Sequence, residues 1–168
     1  MRWLVDGYNV IRRDPDLRAA EVGGLEAGRR ALLARIAEHA QRSSDRFTVV
    51  FDGAPVPGPA AAPGRLEVVF SRPPEKADDV VVRLARREGA GAVVVTSDRA
   101  VGDSARRARC TVVSAEQFLA GLRGSHAGED DKDETDEPVA RPKRGNPRRA
   151  SKDERAAQRA LRRLGPRE

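Results

Sequence analysis

Aspartates stand at four points of this 168-residue chain where an apolar run stops or a helix begins. Asp6 follows Trp3-Leu4-Val5, and Asp52 follows the run from Phe47 to Phe51. The pair Asp78-Asp79 precedes Val80-Val81, and Asp98 follows Ala92-Val93-Val94-Val95-Thr96-Ser97. Carboxylates gathered in one place repel one another and raise each other's pKa, and a divalent cation relieves that repulsion. Oxygen donors without a Cys/His cluster select a hard ion, Mg2+ or Mn2+. Such an ion can activate a water and stabilise the charge that develops when a phosphodiester is cleaved. Each acid alone also has an ordinary explanation. Asp6-Gly7 and Asp52-Gly53 are turn dipeptides, and Asp78 suits the positive end of a helix dipole. Their common position at element ends makes metal chemistry the sharper reading.

Neighbouring residues extend the constellation. Asn9, three residues beyond Asp6, can bond a ligand, a phosphate or a nearby acid, or satisfy the local turn. Thr96 and Ser97 can orient Asp98 or touch a phosphate, and one of them can cap the following helix. Arg72, Lys76 and Arg99 are the cations placed to meet a phosphate beside the acids, against the alternative of solvated surface charge. Tyr8 offers a ring for stacking on a base or for packing over the sheet edge. His39, on a polar helix face, and His126 both read as solvated. No glycine-rich phosphate loop is present; Gly23-Gly24 and Gly89-Ala90-Gly91 read as turns.

The elements that must position these residues follow from periodicity. Trp3-Leu4-Val5, Phe47 to Phe51, Leu66 to Phe70, Ala92 to Val95 and Thr111-Val112-Val113 are short apolar runs, hence buried strands. Between Gly24 and Arg42, Leu25, Leu32, Leu33, Ile36 and Ala40 recur at helical spacing with arginines on the other face. Val80, Val81, Leu84 and Ala85 define a second helix, starting near Pro74, and a short third one covers Val101 to Ala108. Ser114 with Gln117 three residues on is a capping arrangement that opens a helix to about Leu122. The proline-, glycine- and alanine-rich stretch Ala54 to Gly64 is a loop. Continuous apolar strands alternating with helices indicate a parallel sheet covered on both faces. Right-handed crossovers then put all strand C-termini, and with them the acids, along the one edge where ligands bind.

Composition adds the context. Lys and Arg number 32 against 26 Asp and Glu, a net charge of +6, which points to a polyanionic partner. One cysteine, Cys110, excludes an internal disulfide and a cysteine zinc site, and it fits a reducing compartment. The opening apolar stretch is short and broken by Asp6, unlike a signal peptide. No run nears the ~20 apolar residues of a membrane span. A cytoplasmic location with no membrane partner is the expectation. Glu129 to Glu137 is acidic and of low complexity, and eleven Lys/Arg against three acids follow from Pro138 on. Such a segment is expected to be disordered, save that Ser151 to Leu164 can form a short helix with Ala156, Ala160, Leu161 and Leu164 on one side.

These motifs resemble a known family. Val5-Asp6-Gly7-Tyr8-Asn9-Val10-Ile11 is similar to the opening signature of NYN-domain ribonucleases, in particular the bacterial YacP-like branch. Val49-Val50-Phe51-Asp52-Gly53, Val68-Val69-Phe70-Ser71 and Ala77-Asp78-Asp79 follow in the family's order. Val94-Val95-Thr96-Ser97-Asp98-Arg99 and Ser114-Ala115-Glu116-Gln117-Phe118-Leu119 complete the series. The resemblance covers about residues 1–123. It implies a PIN-like α/β/α fold with a central, mainly parallel sheet, and Mg2+- or Mn2+-dependent endonucleolytic cleavage of single-stranded RNA. It also implies messenger RNA at the ribosome as a setting, as for some members of the branch. Residue by residue it makes Asp6, Asp78, Asp79 and Asp98 the metal-binding and catalytic acids, with Asn9, Asp52 and Ser97 in support. Arg72, Lys76 and Arg99 beside the acids, and Arg148 and Arg149 of the basic tail, which lies outside the matched signature, are the candidate RNA-contacting cations. The expected organisation is a nuclease domain over 1–123, an acidic linker over 124–137 and a basic, disordered or partly helical tail over 138–168. The rival reading is a non-catalytic RNA- or ribosome-binding protein on the same fold, which would gain nothing from clustered carboxylates.

Overall fold

The computed structural model describes residues 1–53, 64–124 and 151–165. Five strands form the sheet: β1 (Arg2–Asp6), β2 (Arg46–Phe51), β3 (Leu66–Phe70), β4 (Ala92–Val95) and β5 (Thr111–Val113). All pair in parallel, in the order β3-β2-β1-β4-β5. The helices are α1 (Gly7–Arg13), α2 (Pro15–Glu21), α3 (Leu25–Arg42), α4 (Ala77–Glu88), α5 (Arg99–Arg107), α6 (Ala115–Gly124) and α7 (Lys152–Arg162).

Alternation along each strand builds two cores. Trp3, Val5, Phe47, Val49, Phe51, Val93 and Val95 face the layer of α1, α2, α3, α6 and α7. Leu4, Val50, Ala92 and Val94 face α4 and α5. Strands so short, buried on both faces, need apolar residues at every position, which is why they read as unbroken runs. The result is the three-layer α/β/α arrangement with a parallel sheet that the sequence implies.

The elements differ from the sequence reading in three places. Helices α1 and α2 have no counterpart in it, because seven residues are too few to display a 3.6-residue period. Their signals are caps: Asp6 accepts from the Asn9 N–H, and Asp14 accepts from the N–H groups of Asp16 and Leu17 with Pro15 at the first helical position. Asp6-Gly7 is therefore no turn but a strand-to-helix junction. Gly7 is small there because a Cβ would run into the buried Phe51 ring. Helix α5 starts two residues earlier than the apolar pattern suggests, because Asp98 caps it by accepting from the Val101 N–H at 3.0 Å.

The third difference is the C-terminal stretch. The short helix expected between Ser151 and Leu164 forms as α7 (Lys152–Arg162), but it is built into the main core rather than carried on a disordered tail. Ala157, Ala160 and Leu164 are buried, and Leu164 lies against Gly121 of α6. Arg163 donates to the buried Asp45 at 2.9 Å. Ser151 and Glu154 form a reciprocal capping box at its start. Small apolar residues spaced three or four apart let a mostly charged helix sit close on a sheet, so basic composition did not preclude docking. Arg148, Arg149 and His126 lie outside the described residues, as does the linker beyond Gly124. His39 is also corrected: it is buried edge-on against Phe47 at 5.8 Å, not solvated.

Candidate active site

The chain reverses its direction of travel across the sheet between β1 and β4, and the crevice at such a switch point is where open α/β sheets bind ligands. Asp6 ends β1 there and is buried, 5% exposed. Its Oδ1 accepts from the Asn9 N–H at 3.2 Å, and its Oδ2 accepts from the Thr96 hydroxyl at 3.4 Å. Thr96 Oγ1 in turn accepts from the Asp98 N–H at 3.1 Å, so one buried threonine couples the acid after β1 to the acid after β4. Asn9 Oδ1 accepts from the Ser97 N–H at 2.7 Å and closes the same junction from the α1 side. Ser97 accepts from the Ala115 N–H and donates to Glu116, which pairs with Arg13. Asn9 and Ser97 thus brace the loop that carries Asp98.

Across β1, Asp52 fixes the start of α4. Its Oδ1 accepts from the Ser71 hydroxyl at 2.7 Å and from the Ala77 N–H at 2.6 Å. That places Asp78, the next residue, over the edge. Asp79 accepts from the Lys76 N–H at 3.1 Å and so caps α4. Burial pushes the Asp6 carboxyl up to about 6, and the charges of Asp78 and Asp52 add to the rise against the hydrogen bonds from Asn9 and Thr96. Asp78 is raised as well, first by burial and then by Asp98, Asp52 and Asp79. Five carboxylates therefore share one field. Asp6, Asp52, Asp78 and Asp98 are brought together at the edge, with Asp79 beside them in its cap.

The donor set is oxygen only, which in its chemistry fits a hard divalent ion. Burial is the first cause that lifts Asp6 and Asp78, and the repulsion that adds to it is the charge excess such an ion would offset. Among the described residues, no group of three or more His, Cys, Asp or Glu side chains stands ready-made around a metal position. Asp78 and Asp98 are exposed, so their side chains have room to turn toward Asp6. Of the expected cations, Arg72, Lys76 and Arg99 are exposed at this end of the molecule, on the β3–α4 connection and at the first residue of α5.

Three participants escaped sequence reasoning. Glu116 joins through Ser97, Arg13 joins through Glu116, and Arg29 donates to the Tyr8 hydroxyl at 2.7 Å and to the Asp52 carbonyl at 3.0 Å. Arg29 also lies over the rings of Tyr8, Phe51 and Phe70 at 5.2–5.5 Å, so Tyr8 packs over the sheet edge. Nothing local marks Arg29 among the other arginines of α3; its role comes from the rings that converge on it.

Comparison with known proteins agrees with this architecture. The chain is 35% identical over 85 residues to a Bacillus subtilis (strain 168) protein described as uncharacterized protein YacP. That match spans 49% of this chain and 50% of the relative, about half the length of each. A crystal structure of a Rae1 (YacP) mutant from Bacillus subtilis superposes with a TM-score of 0.62 at 29% identity, over 73% of this chain and 74% of that one. A second Rae1 (YacP) crystal structure gives 0.61 at 28% identity over the same shares. The YacP-like NYN domain matches residues 3–163, so it takes in α7 as well as the sheet. The chain belongs to the YacP-like NYN domain family, and that membership implies a nuclease-like, RNA-related function.

Proposed function

We propose that the protein is a metal-dependent endoribonuclease that hydrolyses single-stranded RNA at the edge carrying Asp6, Asp78, Asp79 and Asp98. The observation that carries this reading is the coupled set of acids at the switch point, with Asp6 buried, tied to Asp98 through Thr96, and lifted to about 6. A surface evolved only to hold a polyanion gains nothing from carboxylates in mutual repulsion.

Asp6 and Asp98 would hold Mg2+ or Mn2+, with Asp78 and Asp79 completing the set, and the ion supplies a Lewis acid and positive charge beside the phosphodiester. The chain's own residues do the rest. Thr96 and the Asn9 N–H fix the Asp6 carboxylate, while Asn9 and Ser97 fix the loop of Asp98. Asp52 holds α4 so that Asp78 faces them. Arg99, Arg72 and Lys76 contact phosphates on either side, and the basic residues beyond Pro138, Arg148 and Arg149 among them, add affinity for RNA. Messenger RNA on the ribosome and a cytoplasmic setting are parts of the same proposal. No described helix is long and apolar enough to cross a membrane.

The test is incubation of the full chain with labelled single-stranded RNA, with Mn2+, with Mg2+ and with chelator. Cleavage should require a metal, and Asp6→Asn and Asp98→Asn should each lower it by at least ~10²-fold, the scale of losing charge stabilisation in a transition state. Folded variants that cleave like the parent would refute the site.

A further inference from the structure

Two cavities meet at Asp98. One, of about 620 Å3, runs between α4 and α5 past Asp78, Asp79 and Arg83. The other, of about 810 Å3, opens on the far side of α5. Val112 of the outer strand β5 and Cys110 just before it are among its lining residues. Gln117 at the start of α6 lines one side and Gln158 of α7 another, while Arg99 stands at the end nearest the acids. The volume suits a ligand of nucleotide size.

The charges of this larger cavity decide what it can take. Four carboxylates line it, Asp98, Glu116, Asp153 and Glu154, against three arginines. Arg13 is paired with Glu116 and Arg106 with Asp103. Arg99 alone of the three makes no ion pair with a described residue, and it sits next to Asp98. A phosphate backbone would be repelled from such an interior, whereas a neutral base would not. Gln117 uses its Oε1 to accept from the Ser114 N–H, which leaves its amide N–H groups to donate. Gln158 is exposed toward the same space. Amide donors and acceptors are the groups that read base edges, and Val112 offers an apolar contact for a base.

We infer that this cavity is a base-binding subsite for the nucleotide adjoining the cleaved phosphodiester, with the base among Gln117, Gln158 and Val112 and its phosphate on Arg99 at the mouth. Helix α7 is then a wall of the substrate groove and sets base preference there. This rests on the ribonuclease reading of the acids.

The experiment measures binding of fluorescein-labelled eight-nucleotide single-stranded RNAs by anisotropy, the four bases being varied at each position in turn. The parent is the full chain carrying Asp6→Asn, which keeps the strand intact and leaves the cavity lining untouched. Gln158→Ala, alone and with Gln117→Ala, should weaken binding about tenfold for the preferred base and flatten the preference, the scale of a lost base-edge hydrogen bond. Gln41→Ala, a neutral exposed residue of α3 outside the cavity lining, serves as the control and should bind as the parent does. Should the double variant lose its fold by thermal melting, Gln158→Ala is read by itself. A parent that binds RNA with base preference, and a Gln158→Ala variant with the same affinity and preference, would overturn the subsite while leaving the ribonuclease reading standing. A parent that binds no RNA would overturn both.

Discussion

Asp6 is a carboxylate placed where ionisation is costly. Its pKa stands at about 6, above the ordinary 3.8, through burial and then through neighbouring acids. The folded protein therefore holds a proton that the unfolded chain has already released between pH ~4 and ~6. Stability falls as pH rises through that window and stays lower above it. A rise of this size is worth about 2–3 kcal/mol at neutral pH. Asn at this position keeps an oxygen to accept from the Asn9 N–H, since Asn caps as well as Asp does. In metal-free buffer at pH 7.5, Asp6→Asn should thus melt several degrees above the parent, and the gap should close near pH 4. A gap of constant size from pH 4 to 8 would remove ionisation of Asp6 as its cause.

At the scale of elements, α7 is the helix whose place the sequence concealed. It is held by a buried hub, where Asp45 accepts from Arg163 at 2.9 Å, from the Met1 ammonium at 2.8 Å and from the Trp3 indole N–H at 3.0 Å. Burial acts to raise the Asp45 pKa, but hydrogen bonds from Arg163, the ammonium and Trp3 outweigh it and hold the group at about 2. That stabilisation is complete above pH ~4 and is lost as pH falls from about 4 toward 2. Arg163→Met should therefore lower the urea midpoint at pH 7 and differ less from the parent near pH 2.5. Leu164→Ala, which empties a fully buried position against Gly121, should cost about 2–4 kcal/mol at both pH values. If neither change moved the midpoint, α7 would not be part of the folded unit in solution. Deleting everything after Gly124 removes this helix and should destabilise the core, so truncation cannot isolate the basic tail from the fold.

For the whole molecule the question is how a net charge of +6 coexists with an edge crowded with acids. Arg141, Lys143, Arg144, Arg148 and Arg149 lie between the acidic run and α7 in the sequence. Because α7 is anchored in the core, these cations are tethered to the nuclease domain at both ends, through α6 and α7. Replacing all five with Gln spares α7, unlike a truncation. If four or five of them meet phosphates, the log–log salt dependence of RNA binding should flatten by roughly 3, at about 0.7 per phosphate on single strands. An unchanged slope would assign RNA affinity to Arg72, Lys76, Arg99 and other residues of the folded part.

Parallel α/β architecture and the gathering of acids on one edge were legible in the chain, because both follow from local rules. Val93 to Val95 and Phe47 to Phe51, short and rich in β-branched and aromatic residues, read as strands buried on both faces, and right-handed crossovers then bring Asp6, Asp52 and Asp98 to the same side. The Ser114–Gln117 cap was legible for the same reason, since its bonds span three residues. What tertiary structure alone decided are the links between residues far apart in sequence. Thr96 reaching Asp6 joins positions 90 residues apart, Asn9 reaching Ser97 joins positions 88 apart, and Arg163 reaching Asp45 joins positions 118 apart. No periodicity encodes such pairs. They arise because strand order brings β4 beside β1, and because Ala157, Ala160 and Leu164 find more apolar surface on the sheet than a basic segment could bury by itself.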